Sequence, residues 1–552
     1  AGGREQFQNP YLEAFRARFP RGRIFSADNR LLAVSQPSEQ DLRAVAELSP
    51  ELAADARHRR LRPGERIYPA DAVTAHLVGW KSEGRFLELP GSVERDADDL
   101  LRGYEPGDLP FYFRVRHNPF VRPPVRQDVQ LTIRHDLQKF AVSRMGRAVR
   151  GARAAGGALV VYDVTTGDVL AAVTLPTIDP NGMTRKRMAG YQAEHGRTSV
   201  LVNKALSREA IYYPGSVFKL FTAGVGLDQQ VEGVVECLEG RNRERLSWDT
   251  PRGRRRRQAN RIRDYRLGTH GPLRLDDGLE YAFTVSCNVF FAGLAAQIGP
   301  AAFQSALEEA ELELESKAQL EEYLPEAGFG QIAVKYSPIA MAMLAGAVGA
   351  AVGEEPESGT ARPAWVRAVL RGEKDLRTPE NIPGAPDATP YAPFQPETRR
   401  ALRSLMVQVV ENPLGTAYGA FHSPEGQVRL PGITVGGKTG TAEFERALAV
   451  RGSRKGRHAW FVGFARSDQE AQPRTIAFAV LLEDVRATVT GGNSCAPVAR
   501  DLIQQILQAG PIGQNDSAAF PELERLYRER VRTGLGPLAP LVDWLKQRLQ
   551  RR

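Results

Sequence analysis

Ser216-Val217-Phe218-Lys219 runs straight into Leu220-Phe221-Thr222-Ala223-Gly224-Val225-Gly226-Leu227, so a serine and a lysine enter the chain's interior together. Tyr213-Pro214-Gly215 reads as the end of a loop, with Ser216 opening a helix. Residues i and i+3 of a helix share a face, which brings the Lys219 amine within reach of the Ser216 hydroxyl. The apolar run predicts a buried helix, and burial disfavours an ammonium. A lysine kept neutral near pH 7 can act as a base, and the serine beside it becomes a nucleophile. Alone, the pair also fits a surface helix with a solvated lysine and a capping serine.

Two later stretches change that balance. Thr284-Val285-Ser286-Cys287-Asn288 supplies a Ser-x-Asn, and Gly436-Gly437-Lys438-Thr439-Gly440-Thr441-Ala442-Glu443 supplies a Lys-Thr-Gly-Thr. Read singly, Ser286 is an N-cap for Val289-Phe290-Phe291-Ala292, Asn288 caps a turn, and the glycine-flanked Lys438 stretch is a tight hairpin. Ser-x-x-Lys, Ser-x-Asn and Lys-Thr-Gly in this order are the signature of penicillin-binding proteins and serine β-lactamases. The chain resembles that family and, more narrowly, the class B penicillin-binding proteins, the monofunctional transpeptidases of cell-wall synthesis.

Each motif fits one acyl-transfer site. Ser216 is the expected nucleophile and Lys219 its base. Ser286 can relay a proton to a departing amine, and Asn288 can hold a substrate amide. Entered through Ile433-Thr434-Val435, the third motif predicts a strand with Lys438 and Gly440 on one face and Thr439 and Thr441 on the other. Lys438 supplies charge for a substrate carboxylate and helps keep Lys219 unprotonated. Gly440 leaves room for a peptide backbone to approach an edge strand, so Thr439, Gly440 and Thr441 are expected to bind substrate. The resemblance adds an oxyanion hole formed by the backbone N–H groups of Ser216 and Thr441. It implies attack on the D-Ala-D-Ala amide of a peptidoglycan stem peptide borne on a lipid-linked precursor, and irreversible acylation by β-lactams. No cofactor or metal is required. It further implies a SEDS-type membrane glycosyltransferase as partner and an extracytoplasmic site, periplasmic or on the outer face of the cytoplasmic membrane.

The net charge of +9 comes largely from arginine, densest at Arg252-Gly253-Arg254-Arg255-Arg256-Arg257. That cluster has no interleaved aromatics and no helix-turn-helix or RNA-binding signature, so nucleic acid is disfavoured as partner. A solvated loop is the simpler account, with contact to anionic lipid or wall polymer as the functional alternative. Cys237, Cys287 and Cys495 make neither a disulfide scaffold nor a metal site. No run of 18 apolar residues occurs. The resemblance leads us to expect an N-terminal membrane anchor upstream of Ala1, or a secreted form with its signal removed.

With 552 residues, two or more domains are expected. Residues 1–127 resemble in pieces the pedestal of the class B proteins, a non-catalytic, dimerisation-like domain rich in β-structure. Residues 128–510 are read as the transpeptidase domain, an α/β (α+β) sandwich with an antiparallel sheet, helices on both faces and an all-helical subdomain. Its expected parts include a strand at 127–133, a helix over 134–151, a hairpin over 157–173 and a closing helix over 496–509. Residues 353–396, rich in Pro, Glu and Gly, are read as a mobile connection. Residues 511–552 form a C-terminal helical extension whose Leu541, Val542, Leu545 and Leu549 stripe fits docking on its own domain or an anionic membrane. Other readings are a hydrolase with the same acyl-enzyme (a D,D-carboxypeptidase or β-lactamase), a silent scaffold, and a β-lactam sensor.

Overall fold

Ala158-Leu159-Val160-Val161-Tyr162 and Leu170-Ala171-Ala172-Val173 are apolar at every position, as strands covered on both faces must be. In the computed structural model they lie in strands β5 (Gly156–Asp163) and β6 (Val169–Leu175). The structure describes residues 21–59, 61, 65–81, 89, 91–103, 127–195, 199–235, 262, 264, 273–274, 278–352, 359–370, 376–377, 385, 387, 389–447, 453–467 and 473–508. The turn between β5 and β6 is closed by Asp163, whose Oδ1 accepts the N–H groups of Thr165 and Thr166 at 3.0 and 3.2 Å.

Before that hairpin lie β1 (Ile24–Phe25), β2 (Leu31–Ser35), β3 (Arg66–Ile67) and β4 (Asp128–Leu131). After it come β7 (Val234–Val235), β8 (Leu273–Arg274), β9 (Val366–Leu370), β10 (Leu376–Arg377), β11 (Ile433–Ala447), β12 (Ser453–Ser467) and β13 (Arg474–Glu483). The central sheet is antiparallel, in the order β11-β12-β13-β5-β6, so β11 is an edge strand. Helices α2 (His135–Ala152) and α8 (Ala496–Leu507) pack against it, as do α6 (Pro338–Gly349) and α7 (Pro396–Glu411). On one face Gly157 lies against Met145 of α2 and beside Leu482, while Tyr162 and Ala477, of opposite parity on the same two strands, lie against Gly346 of α6. The two helix pairs therefore cover opposite faces, which is the expected mixed α/β sandwich.

A second sheet has the order β10-β9-β4-β1-β2-β3. Strand β4 pairs parallel with β1 and antiparallel with β9, so this sheet draws strands from both sides of residue 127. It also corrects the expectation of a mobile connection over 353–396. Val366, Ala368 and Val369 within that stretch are buried, and this apolar content makes β9 an interior strand rather than a linker.

Helix α1 (Asp71–Val78) ties the first region to the sandwich. Gln138 Nε2 donates to Val73 O at 3.1 Å, Thr177 Oγ1 to Ala72 O at 2.6 Å, and His76 Nε2 lies 2.9 Å from Val200 O. No helix among the described residues is long and apolar enough to cross a membrane. The arginine cluster at 252–257 and the stripe at 541–549 lie outside the described residues.

Candidate active site

Ser216 sits in a 3₁₀ turn (Gly215–Phe218) that leads into α3 (Lys219–Asp228), a refinement of the helix start read from sequence. In a 3₁₀ turn residues i and i+3 eclipse, so the two side chains leave the backbone along one line. Phe218 stacks on Phe221 and on Tyr336 with centroids 5.1 and 5.3 Å apart, anchoring the turn in the core. Lys219 is fully buried, whereas Ser216 is half-buried. Gly215 adopts φ +56°, and a Cβ there would stand 2.8 Å from Thr441 O. Only glycine permits both the backbone angle and the approach to β11.

The second motif lies between α4 (Leu279–Val285) and α5 (Asn288–Ile298). Ser286 is not an N-cap. It terminates α4 in the left-handed region at φ 63°, ψ 47°, and Cys287 caps α5, its Sγ accepting from Phe290 N at 3.2 Å. A non-glycine residue in this conformation turns the chain sharply. The turn offers Ser286 O, Ser286 Oγ and Asn288 Oδ1 to Lys219 Nζ at 2.7, 3.2 and 2.8 Å. From the other side, Lys438 Nζ donates to Ser286 Oγ at 2.8 Å. Both amines thus meet on one hydroxyl. Ser216 Oγ itself forms no hydrogen bond among the described residues, leaving its lone pairs available.

Burial governs the electrostatics. Desolvation lowers the Lys219 pKa from 10.5 to about 8, with Asp264 and Cys287 opposing the shift. Lys438 is pushed well below its ordinary value by desolvation and then by Lys219. Two like charges in one dry pocket disfavour each other's protonation. An amine with a pKa lowered to about 8 can serve as a general base once deprotonated, and the shared Ser286 hydroxyl offers a route for a proton between the amines; Lys219 Nζ is bonded here to Ser286 and Asn288 rather than to Ser216 Oγ.

Lys438, Thr439, Gly440 and Thr441 lie on β11, the edge strand. The space that Gly440 leaves is taken by the nucleophile turn. A Cβ there would meet Pro214 O and Val217 Cγ1 at 2.9 Å, which corrects the reading that the gap admits substrate directly. Thr439 Oγ1 lies 2.6 Å from Thr416 Oγ1, forming a hydroxyl pair on the strand's other face. With its amide oriented to satisfy both partners, Gln331 donates to Glu443 O at 3.0 Å and accepts from Glu443 N at 3.2 Å. Glu443 therefore turns its main-chain groups away from β12, and by the two-residue period Thr441 and Thr439 do the same. Gly215 N donates to Gly330 O at 2.9 Å, so the turn carrying Gln331 grips both the nucleophile turn and β11.

The structure brings all three motifs to one place, joined through Ser286 and through the contact of Gly215 with Thr441. Three further residues belong to the site. Gln331 ends Gly328-Phe329-Gly330-Gln331, a stretch that in sequence resembles the Gly-x-Gly-Gln turn near the cleft of the class B proteins, and Thr416 carried no signal. Asp264, hidden among arginines, is buried and accepts from the backbone N–H of Asn288 and, at 3.2 Å, of Val289. An acidic residue in a basic run that is followed by an apolar helix was the available clue.

Residues 157–504 match the penicillin-binding protein transpeptidase domain. The peptidoglycan D,D-transpeptidase PbpA of Mycobacterium tuberculosis is 27% identical over 486 residues, covering 84% of this chain and 88% of its own length. MrdA of Acinetobacter baumannii, also a peptidoglycan D,D-transpeptidase, is 24% identical over 79% of this chain and 65% of its own. Among solved structures, the penicillin G acyl-enzyme complex of penicillin-binding protein A from M. tuberculosis shares the fold with a TM-score of 0.62. That pair is 23% identical, covering 89% of this chain and 100% of the other. The matched domain spans well over half of the chain and contains all three motifs, so this protein belongs to the penicillin-binding protein transpeptidase family, as one of its class B members.

Proposed function

We propose that this chain is a peptidoglycan D,D-transpeptidase that works through an acyl-enzyme on Ser216. The observation that carries the reading is the meeting of Lys219 and Lys438 on Ser286 Oγ, with Lys219 one turn after the half-buried Ser216. Ser216 Oγ attacks the carbonyl carbon between the two terminal D-alanines and gives its proton to neutral Lys219. The oxyanion is held by the N–H groups of Ser216 and Thr441, each such donor being worth about 3 kcal/mol. When the C–N bond breaks, the Lys219 proton passes through Ser286 to the departing D-alanine amine. An amine of a neighbouring strand then attacks the ester, loses its proton along the same route and returns Ser216 to its hydroxyl.

Asn288 and Lys438 complete the catalytic set in this reading. Lys438 supplies positive potential for the substrate carboxylate, while Thr439, Gly440 and Thr441 receive the peptide along the edge strand. β-Lactams enter as mimics of the D-Ala-D-Ala amide and stop at the ester. Membership of the cell-wall transpeptidases supports an extracytoplasmic site, which we extend to membrane anchoring and to a SEDS-type glycosyltransferase as partner.

Intact-mass analysis after exposure to a fluorescent penicillin tests the chemistry. Wild type should gain one label per chain and Ser216→Ala none. Equal labelling of the variant overturns the reading. Nitrocefin tests the class: a single equivalent consumed supports a transpeptidase, whereas steady turnover replaces it with a hydrolase.

A further inference from the structure

We infer that Lys204, paired with Glu483 in the core, is a positioning residue that fixes where the segment leading to Ser216 lies. The inference rests on the acyl-enzyme reading but assigns a role to residues outside the three motifs.

Residues 201–214 carry the chain to the nucleophile turn through turns and one isolated bridge, Tyr212 to Tyr336, with no helix or strand. No backbone ladder sets the position of this segment over the central sheet, so side chains must do so. Lys204 and Glu483 are both buried although 279 residues apart, and Lys204 Nζ donates to Glu483 Oε2 at 2.6 Å and to Leu175 O of β6 at 2.9 Å. The sheet leaves room for the pair. Glu483 ends β13 opposite Gly156 of β5, and a Cβ on Gly156 would stand 2.5 Å from Glu483 Oε2 and 3.0 Å from Lys204 Nζ. A glycine inside a strand marks such a close approach.

The same edge of the sheet holds the other end of the segment. Ala459 pairs with Leu482, so the register sets His458 beside Glu483. The Tyr212 ring meets His458 edge-on at 5.4 Å and Trp460 at 6.2 Å, and Trp460 Nε1 donates to Tyr213 O at 3.1 Å. The Tyr212 hydroxyl is hydrogen-bonded to Glu483 as well. Glu483 thus engages the segment at its start, through Lys204, and again at Tyr212, just ahead of the nucleophile turn. A buried ion pair is seldom worth more to stability than apolar side chains of similar volume. What it adds is a fixed length and direction. The reaction needs that, because the N–H groups of Ser216 and Thr441 must face one oxygen, and a displacement of about 1 Å can cost about 10²-fold in rate.

The test is the kinetics of penicillin acylation, read as the rate at saturation and the concentration that gives half of it. Lys204→Met combined with Glu483→Leu removes both charges and roughly keeps the volume, so the chain should fold with a melting temperature near that of wild type. Its saturating rate should fall by about 10–10²-fold. The half-saturating concentration and the pH midpoint should stay in place, because Lys219 and the substrate contacts are untouched. A merely structural pair predicts a wild-type saturating rate in the folded variant, and that result overturns the inference. A loss confined to the half-saturating concentration overturns it too. If the double variant does not fold, Tyr212→Phe decides, since it keeps both ring contacts and removes the hydroxyl. A lowered saturating rate there supports the inference, and a wild-type rate overturns it. If Ser216→Ala is labelled, or wild type is not, the acyl-enzyme reading falls instead.

Discussion

The cluster around Glu94 and the cluster around Ser286 both take cations out of water, but they compensate them differently. Near Glu94, Arg21 and Arg66 are each paired with a carboxylate oxygen. Arg21 Nη2 lies 2.9 Å from Glu94 Oε2, and Arg66 Nε bonds Glu94 Oε1. Arg21 also pairs with Asp98, and Arg66 donates to Gly22 O at 2.8 Å. Burial pushes the Glu94 carboxyl up, yet Arg66 and Arg21 more than offset it, and its pKa lies below the ordinary value. Near Ser286, two lysines meet neutral oxygens instead, and both amines are driven toward the uncharged state. Matched charge holds a fold together, whereas partly matched charge keeps a proton ready to move.

Removing one member of each cluster gives opposite outcomes. Lys219→Met should lower penicillin acylation by about 10²–10⁴-fold, the usual contribution of a positioned base. Its melting temperature should fall less than that of Glu94→Gln, since the substitution leaves neutral acceptors, Ser286 O and Asn288 Oδ1, rather than a charge without a partner. A variant that acylates normally would break the comparison at its catalytic end. Glu94→Gln, by contrast, leaves buried Arg66 without a carboxylate partner and Arg21 with Asp98 alone. A loss of about 3–5 kcal/mol is expected, visible as a marked fall in melting temperature. The surviving folded fraction should acylate at the wild-type rate. Unchanged melting would mean that the pairing around Glu94 holds nothing together.

How far each cluster could be read from sequence follows from its physics. The motif residues Ser216, Lys219, Ser286, Asn288 and Lys438 announced themselves because their chemistry demands fixed spacings on local elements. The α/β sandwich was legible in the uniformly apolar strands and in the helices between them. Glu94 was not legible, because its partners Arg21 and Arg66 lie 73 and 28 residues away and no local pattern marks such a meeting. The burial of β9 was masked by Pro and Glu around it. Asp264 was hidden by its charged neighbours, which suggested solvent where its side chain is enclosed. The reason for Gly440 was read one step short, since the gap serves the nucleophile turn before it can serve a ligand.

The pH profile sharpens the contrast further. Burial brings the Lys219 pKa down from 10.5 to about 8, so its neutral form becomes available from about pH 8 rather than above pH 10. Acylation should rise up to tenfold per pH unit below that point and level off above it. Rates of penicillin acylation measured from pH 6 to about 9.5 check this. A profile flat down to pH 6 would mean that the base is already neutral there, and that burial lowers the Lys219 pKa further than to about 8.

The smallest expected effect separates charge from geometry. Gln331 carries no charge, yet its amide bonds both main-chain groups of Glu443 while its neighbour Gly330 accepts from Gly215. It therefore sets the gap between the nucleophile turn and β11, across which the two proposed oxyanion donors, the N–H groups of Ser216 and Thr441, must face each other. Gln331→Met keeps the volume and removes two hydrogen bonds, each worth about 1 kcal/mol. Acylation should slow by roughly tenfold, with the pH midpoint near 8 unmoved because neither lysine gains or loses a charged neighbour. A shifted midpoint would mean that the gap and the lysine charges are coupled, and that the site cannot be divided into a part that titrates and a part that positions. An unchanged rate would assign the clamp to Gly330 and Gly215 alone, whose backbone bond survives the substitution.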